Sequence, residues 1–541
     1  MVPLAGRTGF VIRAATAEPT EAAQLGTPGR SQAAGRLPAH WPAVVPSVIV
    51  VACLPVVGYV WVALHRLAYP YELEWMEGGS VELARRVAAG QPLYTSPSLH
   101  FTPWPYPPLY YWLSAAVGSV TGQGFLPLRL VSFLASLAVL VLLVLLVRTL
   151  GGSWTGGVVA AGISAATYRL AGSWADLARV DSLLVALTLG GLLVSVRARR
   201  PGAGVAAGLV FVLAVLTKQT ALVAAIPAVG WLLATRWRVG VGAALTLVAG
   251  LVGSTFLLER ASGGWYLQYV GAELLGQGVV RSWIAGFWLA DLALPFAVLA
   301  VAGLVVGWRL RPRPPGRSGL RRVLASPATL VIASLFAAGW SGRLHSGGYS
   351  NVVMPAYAAV AVVAGLGFGR FLTTSTSGAA AGVRSLTAAG VLLAQLVLLT
   401  VVAGSVVRSV PTPADRAAGA RLVADIATVP GRVVSADHPG YVTQAGKAPS
   451  ADLEAIRDVL RGGSARARAA LIAALPSALR GVDVLILDDA AEAALFQPVL
   501  GTDFRLSARV AVPGTGLHPV SDLDLRPTLV FVRRGASGGP W

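Results

Sequence analysis

The residues of this chain that could do chemistry fall in four polar stretches interrupting long apolar runs. The first, Tyr69 to Trp112, holds Glu72, Glu74, Glu77 and Glu82 and ends in an aromatic-proline cluster from Trp104 to Trp112. Arg179 and Asp181 follow in SWADLARVDSL, then Lys218 in LTKQTAL, then Arg343, His345, Tyr349 and Asn351 in SGRLHSGGYSN. Carboxylates, cations and an imidazole at the ends of apolar spans can converge on a site shielded from bulk water. Charges beside membrane helices are costly unless they are paired or functional. Each stretch also has an ordinary structural reading. Acids in a loop are usually a solvated face, Arg179 and Asp181 can pair at a helix end, and Lys218 can snorkel to an interface. His345 can be a plain loop histidine, and Tyr106, Tyr110, Tyr111 and Trp112 read first as an interfacial aromatic belt and second as pocket lining. Their joint location on one side favours function.

The elements that must position these residues are membrane helices. Of 541 residues 55% are hydrophobic and 12% charged, against roughly 25% charged in soluble domains. The formal charge of +19 lies in short loops: Arg197, Arg199 and Arg200; Arg236 and Arg238; and a cluster from Arg309 to Arg322. That is the bias of cytoplasmic loops rather than a groove for nucleic acid. The single cysteine, Cys53, excludes an intramolecular disulfide.

Residues 1–43 read as a disordered cytoplasmic tail. A span needs about 20 apolar residues, which places helices near 44–64, 126–147, 155–173, 182–196, 203–217, 219–235, 239–258, 284–308, 323–341, 352–369 and 383–404. With the Arg309–Arg322 loop inside, the other basic loops and the amino terminus fall inside as well. The four chemical stretches and everything beyond 405 fall outside. This parity requires that 109–122 not cross the bilayer. Residues 410–541 change character, with helix-like stretches (Ala414–Ala427, Asp452–Arg461, Ala465–Leu475) and strand-like runs (Arg432–Ser435, Val482–Leu487, Thr528–Val532). They read as a small extracytoplasmic α/β domain, in which Asp488 and Asp489 after a strand read first as capping or turn residues and second as a site.

The order YPYELEW-MEGG, then A-R-x-x-A-G-x-x-L-Y, then YPPLYYW resembles the first external loop of GT-C glycosyltransferases, the bacterial relatives of protein O-mannosyltransferases and aminoarabinose transferases. ARVDSL, TKQTAL and GGYSNVVMPAYAAVAVVAG extend the likeness over roughly residues 44–370. The resemblance implies a polytopic helical fold with about eleven spans, a polyprenyl-phosphate-linked sugar donor, and inverting transfer to a glycan, lipid or protein acceptor on the outer face of the plasma membrane. It implies that a loop carboxylate, Glu74 or else Glu77, acts as general base. Lys218, Arg179 and Arg343, assisted by His345, would meet the donor phosphate. Asp181 would orient a base or bind a divalent cation with Glu77, and Tyr106, Tyr110, Tyr349 and Asn351 would line the pocket. Two departures stand out: the family more often has Asp where Glu74 stands, and related aminoarabinose transferases often carry lysine where Tyr106 precedes Pro-Pro. A transporter or flippase for a lipid-linked glycan and a non-catalytic membrane scaffold are the rival readings.

Overall fold

The computed structural model describes residues 44–310, 325–373, 378–489, 497–510 and 525–541, with 319, 322, 323, 492, 493 and 517 between them. The expected tail 1–43 and most of the basic cluster from Arg309 to Arg322 lie outside the described residues.

Helices occupy all eleven stretches expected to span. They are α1 (Val44–Leu67), α4 (Phe125–Thr149), α5 (Trp154–Ala166), α6 (Asp181–Arg197), α7 (Pro201–Thr217), α8 (Leu222–Thr235), α9 (Trp237–Ala261), the pair Trp283–Ala293 and Ala297–Val306, α10 (Pro327–Leu344), α11 (Met354–Thr373) and α12 (Gly378–Ala403). The loop after α1 carries two more, α2 (Glu77–Ala88) and α3 (Leu109–Thr121). Among the described residues five helices are long and apolar enough to cross a membrane, within α1, α4, α9, α11 and α12, and the bent pair adds a sixth if it is one span. Helix α5, helix α7 and the stretch Gln219–Thr235 are apolar but shorter. The 13 residues of α3 run about 20 Å at 1.5 Å per residue, short of a hydrocarbon core of about 30 Å.

The stretch expected as one span over 284–308 bends by 81°. Pro295 stands in the break, where its missing N–H and the turn leave backbone groups without helical partners. Gln395 of α12 repairs the break from a neighbouring helix. Its amide donates to the Pro295 carbonyl at 2.7 Å, and its oxygen accepts from the Leu299 N–H at 3.1 Å. An apolar medium offers no water for this task, so a side chain has to supply it.

The carboxy-terminal region forms a four-stranded sheet, β1 (Val433–Ser435), β2 (Val484–Leu487), β3 (Phe504–Arg509) and β4 (Leu529–Arg533), in the order β1-β2-β4-β3. Strands β1 and β2 are parallel, and β4 runs antiparallel to both its neighbours. Helices α13 (Pro413–Thr428), α14 (Pro439–Gln444), α15 (Leu453–Gly462) and α16 (Ala465–Arg480) accompany it. A capping box fixes the start of α13, with Thr412 and Asp415 each satisfying the other's backbone N–H. Strand β3 and helix α14 are elements the sequence pattern does not announce. One buried core joins this region to the loop after α1, with Leu73, Trp75 and Trp104 in the same cluster as Val434, Leu453 and Ile456.

Candidate active site

Two arginines inside apolar helices build the loop that carries the acids. Arg129 of α4 is fully buried and uses all five of its N–H donors. Its Nε and Nη2 reach the two oxygens of Glu77 at 2.9 and 2.6 Å, Nη1 reaches the carbonyls of Arg66 and Tyr69, and Nη2 also reaches that of Tyr71. Arg66, at the end of α1, pairs with Asp176 at 3.2 Å, and Tyr168 donates to the same carboxylate at 2.9 Å. Sequence reasoning missed both arginines and Asp176. The signal was present: Arg129 in FLPLRLVSF is a charge inside a membrane-length apolar run, which calls for a buried partner.

Glu77 is therefore committed. Besides Arg129 it accepts the N–H of Ala178 at 2.8 Å on one oxygen and that of Leu73 at 2.8 Å on the other. All four lone-pair directions of the carboxylate are taken, and none is left for an acceptor proton. This corrects the expectation of Glu77 as an alternative base. It also removes the expected cation pair, because Asp181 bonds Lys218 at 2.8 Å while Glu77 bonds Arg129.

Glu74 is equally buried but differs in its partners. Its side chain is 1% exposed, and neither oxygen has a hydrogen-bond partner. Burial pushes its carboxyl up to about 8, against the opposing pull of the Arg179 charge. Arg179 sits in the loop between α5 and α6, where Ser132 holds its carbonyl at 2.9 Å and Glu77 holds the preceding N–H. The guanidinium lies over the rings of Trp174 and Trp104, 4.8 and 5.8 Å from their centroids. Its Nε and Nη1 are buried with no hydrogen-bond partner.

Arg179 lines a cleft open to solvent. Of the residues expected in the site, Tyr106, Lys218, His345, Tyr349 and Asn351 line it too. Lys218 ends α7 in an extended conformation and lies 5.1 Å from the Tyr106 ring centroid, a cation–aromatic contact. Gln219 fastens this corner by donating to the carbonyls of Pro105 and Val270 at 2.7 and 3.0 Å. Burial holds His345 below the usual histidine range. The neutral ring donates from Nδ1 to the Ser346 carbonyl at 2.7 Å, which leaves Nε2 an acceptor. Asp181 lies in a smaller adjoining cavity that shares Lys218, Thr220, Asn351 and Val352 with the cleft and is otherwise largely apolar.

Besides Glu77 and Asp181, three expected residues are not among the cleft lining. Glu74 stands behind it, two positions before the lining residue Met76. Arg343 pairs with Asp291 at 2.9 Å and stacks 3.5 Å from the Trp283 centroid. Tyr110 is buried, donating to the Leu128 carbonyl at 2.9 Å with Ser132 at 3.0 Å, which makes it a packing residue.

The other wall comes from the carboxy-terminal region, a contribution sequence reasoning did not assign to any residue. Glu454 and Asp458 of α15 line the cleft together with the cations. Burial, with the charge of Glu454, pushes Asp458 up to about 7. Deeper in this region His438 bridges Glu72 at 2.6 Å and Asp488 at 3.0 Å. Asp488 is thus a bonding partner rather than a cap, while Asp489 caps, accepting the Glu492 N–H at 2.8 Å. Asp437, Asp488 and Glu492 bring oxygens within 4.8 Å of one another, and Arg457 reaches two of them.

Residues 105–258 match the family model described as dolichyl-phosphate-mannose-protein mannosyltransferase. Among solved structures the fold matches that of ArnT from Cupriavidus metallidurans bound to undecaprenyl phosphate. The TM-score is 0.55 at 14% identity, over 92% of this chain and 100% of that one. The apo form of the same protein matches with a TM-score of 0.52 at 16% identity, over 90% and 99% of the two chains. No curated protein matches by sequence. The fold is that of the GT-C glycosyltransferases, and the resemblance seen in the loop motifs holds for the architecture as a whole. With its several long apolar helices, the chain is a multi-pass membrane protein.

Proposed function

We propose that this protein is an inverting glycosyltransferase that moves a sugar from a polyprenyl-phosphate donor to an acceptor on the outer face of the plasma membrane. The observation that carries this reading is the pair of cations at the cleft. Arg179 has two buried donors without a partner, and Lys218 lies beside it on the lining. Buried donors without partners are costly, and a lipid phosphate satisfies both the hydrogen bonds and the charge. The same phosphate is the leaving group, so these cations stabilise the charge that grows on it during transfer.

The adjoining apolar cavity gives the lipid tail a berth among helices, with Asp181 holding Lys218 at the junction. Neutral His345 offers Nε2 to a hydroxyl. Glu74 takes the acceptor proton. It is the external-loop carboxylate with free lone pairs beside the site, and its raised affinity for protons suits a base working near neutrality. One base and one leaving phosphate describe a single displacement, which inverts the anomeric centre. The likeness to an undecaprenyl-phosphate-bound structure supports a polyprenyl carrier.

The test is transfer from radiolabelled polyprenyl-phosphate sugars by the purified protein in lipid. Turnover should collapse in Glu74→Gln and in Lys218→Ala, with Lys218→Ala also losing affinity for bare undecaprenyl phosphate. If labelled lipid crosses the bilayer without transfer, the protein is a flippase.

A further inference from the structure

The cleft is bipolar. The helical part of the chain contributes Arg179 and Lys218 to its lining, here called the floor, and the carboxy-terminal region contributes Glu454 and Asp458, here called the roof. The roof acids are four residues apart on α15, which puts them on one face of the helix. The opposite face, Leu453, Ile456 and Val459, is buried in the core shared with the first loop, so the acidic face is held rigidly toward the cleft. Arg461 bonds both acids, Arg457 donates to the second oxygen of Glu454 at 3.4 Å, and Gln277 donates to Oδ1 of Asp458 at 3.1 Å. These contacts orient the carboxylates without filling them, and among the described residues Oδ2 of Asp458 accepts no hydrogen bond.

A second observation is independent of the acids. Gln277 and Asn351 also line the cleft, and the carbonyl oxygen of each is buried with no partner. Asn351 is 3% exposed. Four side chains from three parts of the chain therefore present hydrogen-bond acceptors to one cavity. A complementary ligand has several donors close together, which is the chemistry of a polyhydroxylated ring. Tyr106 and Tyr349 on the same lining offer aromatic faces for its C–H surface.

Resting on the transferase reading, we propose that Glu454 and Asp458, with Gln277 and Asn351, form the subsite that binds the glycosyl ring of the donor. The carboxy-terminal region is then a selector of the sugar rather than a cover. The donor's geometry favours its own sugar over the acceptor's. The ring is joined to the phosphate through a single oxygen, so a phosphate held by Arg179 and Lys218 keeps the ring in the cleft that Glu454 and Asp458 also line.

The experiment measures binding of bare undecaprenyl phosphate and of a panel of undecaprenyl-phosphate hexoses and pentoses to the full chain in nanodiscs. Donor and acceptor KM are measured alongside. Wild type should bind at least one glycosylated donor more tightly than the bare phosphate. Glu454→Gln and Asp458→Asn should each weaken that donor about 10-fold, the loss of one or two hydrogen bonds to a charged acceptor. The same variants should leave bare-phosphate affinity unchanged, which also certifies their folding. Equal affinity of wild type for bare and glycosylated lipid overturns the proposal, as does equal weakening of both lipids in the variants. A rise in acceptor KM with donor binding intact overturns it in favour of an acceptor subsite. In all three cases bare-phosphate binding by wild type keeps the transferase reading standing. Failure of wild type to bind undecaprenyl phosphate overturns both.

Discussion

Glu74 and Glu77 are three positions apart and have opposite fates, because Glu77 is met by two donors of the buried Arg129 and by two backbone amides, while the oxygens of Glu74 have no hydrogen-bond partner. Glu74→Gln removes a buried carboxylate without partners. It should lower turnover by 100-fold or more, on the order of what a general base contributes, while leaving thermal unfolding unchanged or slightly improved. Glu77→Gln should do the reverse to stability. Breaking a buried pair costs about 3–5 kcal/mol, to be read from unfolding in detergent. The pH dependence separates the two acids further. A base must be deprotonated to act, and burial raises the Glu74 carboxyl to about 8. In wild type kcat/KM should therefore rise with pH through that value, and a profile flat from pH 6 to 9 would remove Glu74 from the role.

At the scale of elements, the loop after α1 is clamped between α4 and the carboxy-terminal sheet. Arg129 holds it from the membrane side. From the other side His438 bridges Glu72 and Asp488, and the Gly440 N–H donates to Glu72 at 2.8 Å. The backbones approach closely here, since a Cβ on Gly78 or Gly440 would overlap a Glu72 oxygen. Burial alone would lower the His438 affinity for protons, yet Asp488 and Glu72 together hold it well above the usual range. The folded protein thus keeps a proton the unfolded chain releases near pH 6.5. The clamp is at full strength below that pH and is lost as pH rises through the higher folded value. Hydrogen exchange in 70–80 and 436–445 should accelerate with alkalinity beyond its chemical rate in wild type. In His438→Gln it should be fast at every pH. Exchange that ignores both pH and the variant would show that the clamp does not hold these segments together.

At the scale of the molecule, the functional reading requires that the cleft and the carboxy-terminal region share the outer side. Cys53 is the one native thiol, so a Cys53→Ala background allows single-site labelling. Ser537 and Arg199 are both exposed. An impermeant maleimide applied to intact cells should label Ser537→Cys and spare Arg199→Cys until the membrane is opened. The opposite pattern would invert the topology and place the transfer reaction inside.

The sequence by itself determined the helical membrane architecture, because apolar length and the placement of arginines in loops are local properties that survive without knowledge of neighbours. It also marked the polar stretches that reach the cleft: Arg179, Lys218, His345 and Asn351 each sit where an apolar run ends. Motif order pointed to the GT-C fold for the same reason. Only the tertiary structure decided which acids are free. Glu74 and Glu77 read alike in ELEWMEGG, and the choice between them depends on Arg129, 52 residues beyond Glu77, which no local pattern connects to the loop. The same holds for the roof of the cleft. Glu454 and Asp458 look like the solvated face of an amphipathic helix, and their meaning comes from α15 burying its other face against residues almost 400 positions earlier, such as Leu73. Helix formation is written in short-range spacing, whereas the pairing of charges and the walls of a cavity are set by contacts between distant segments.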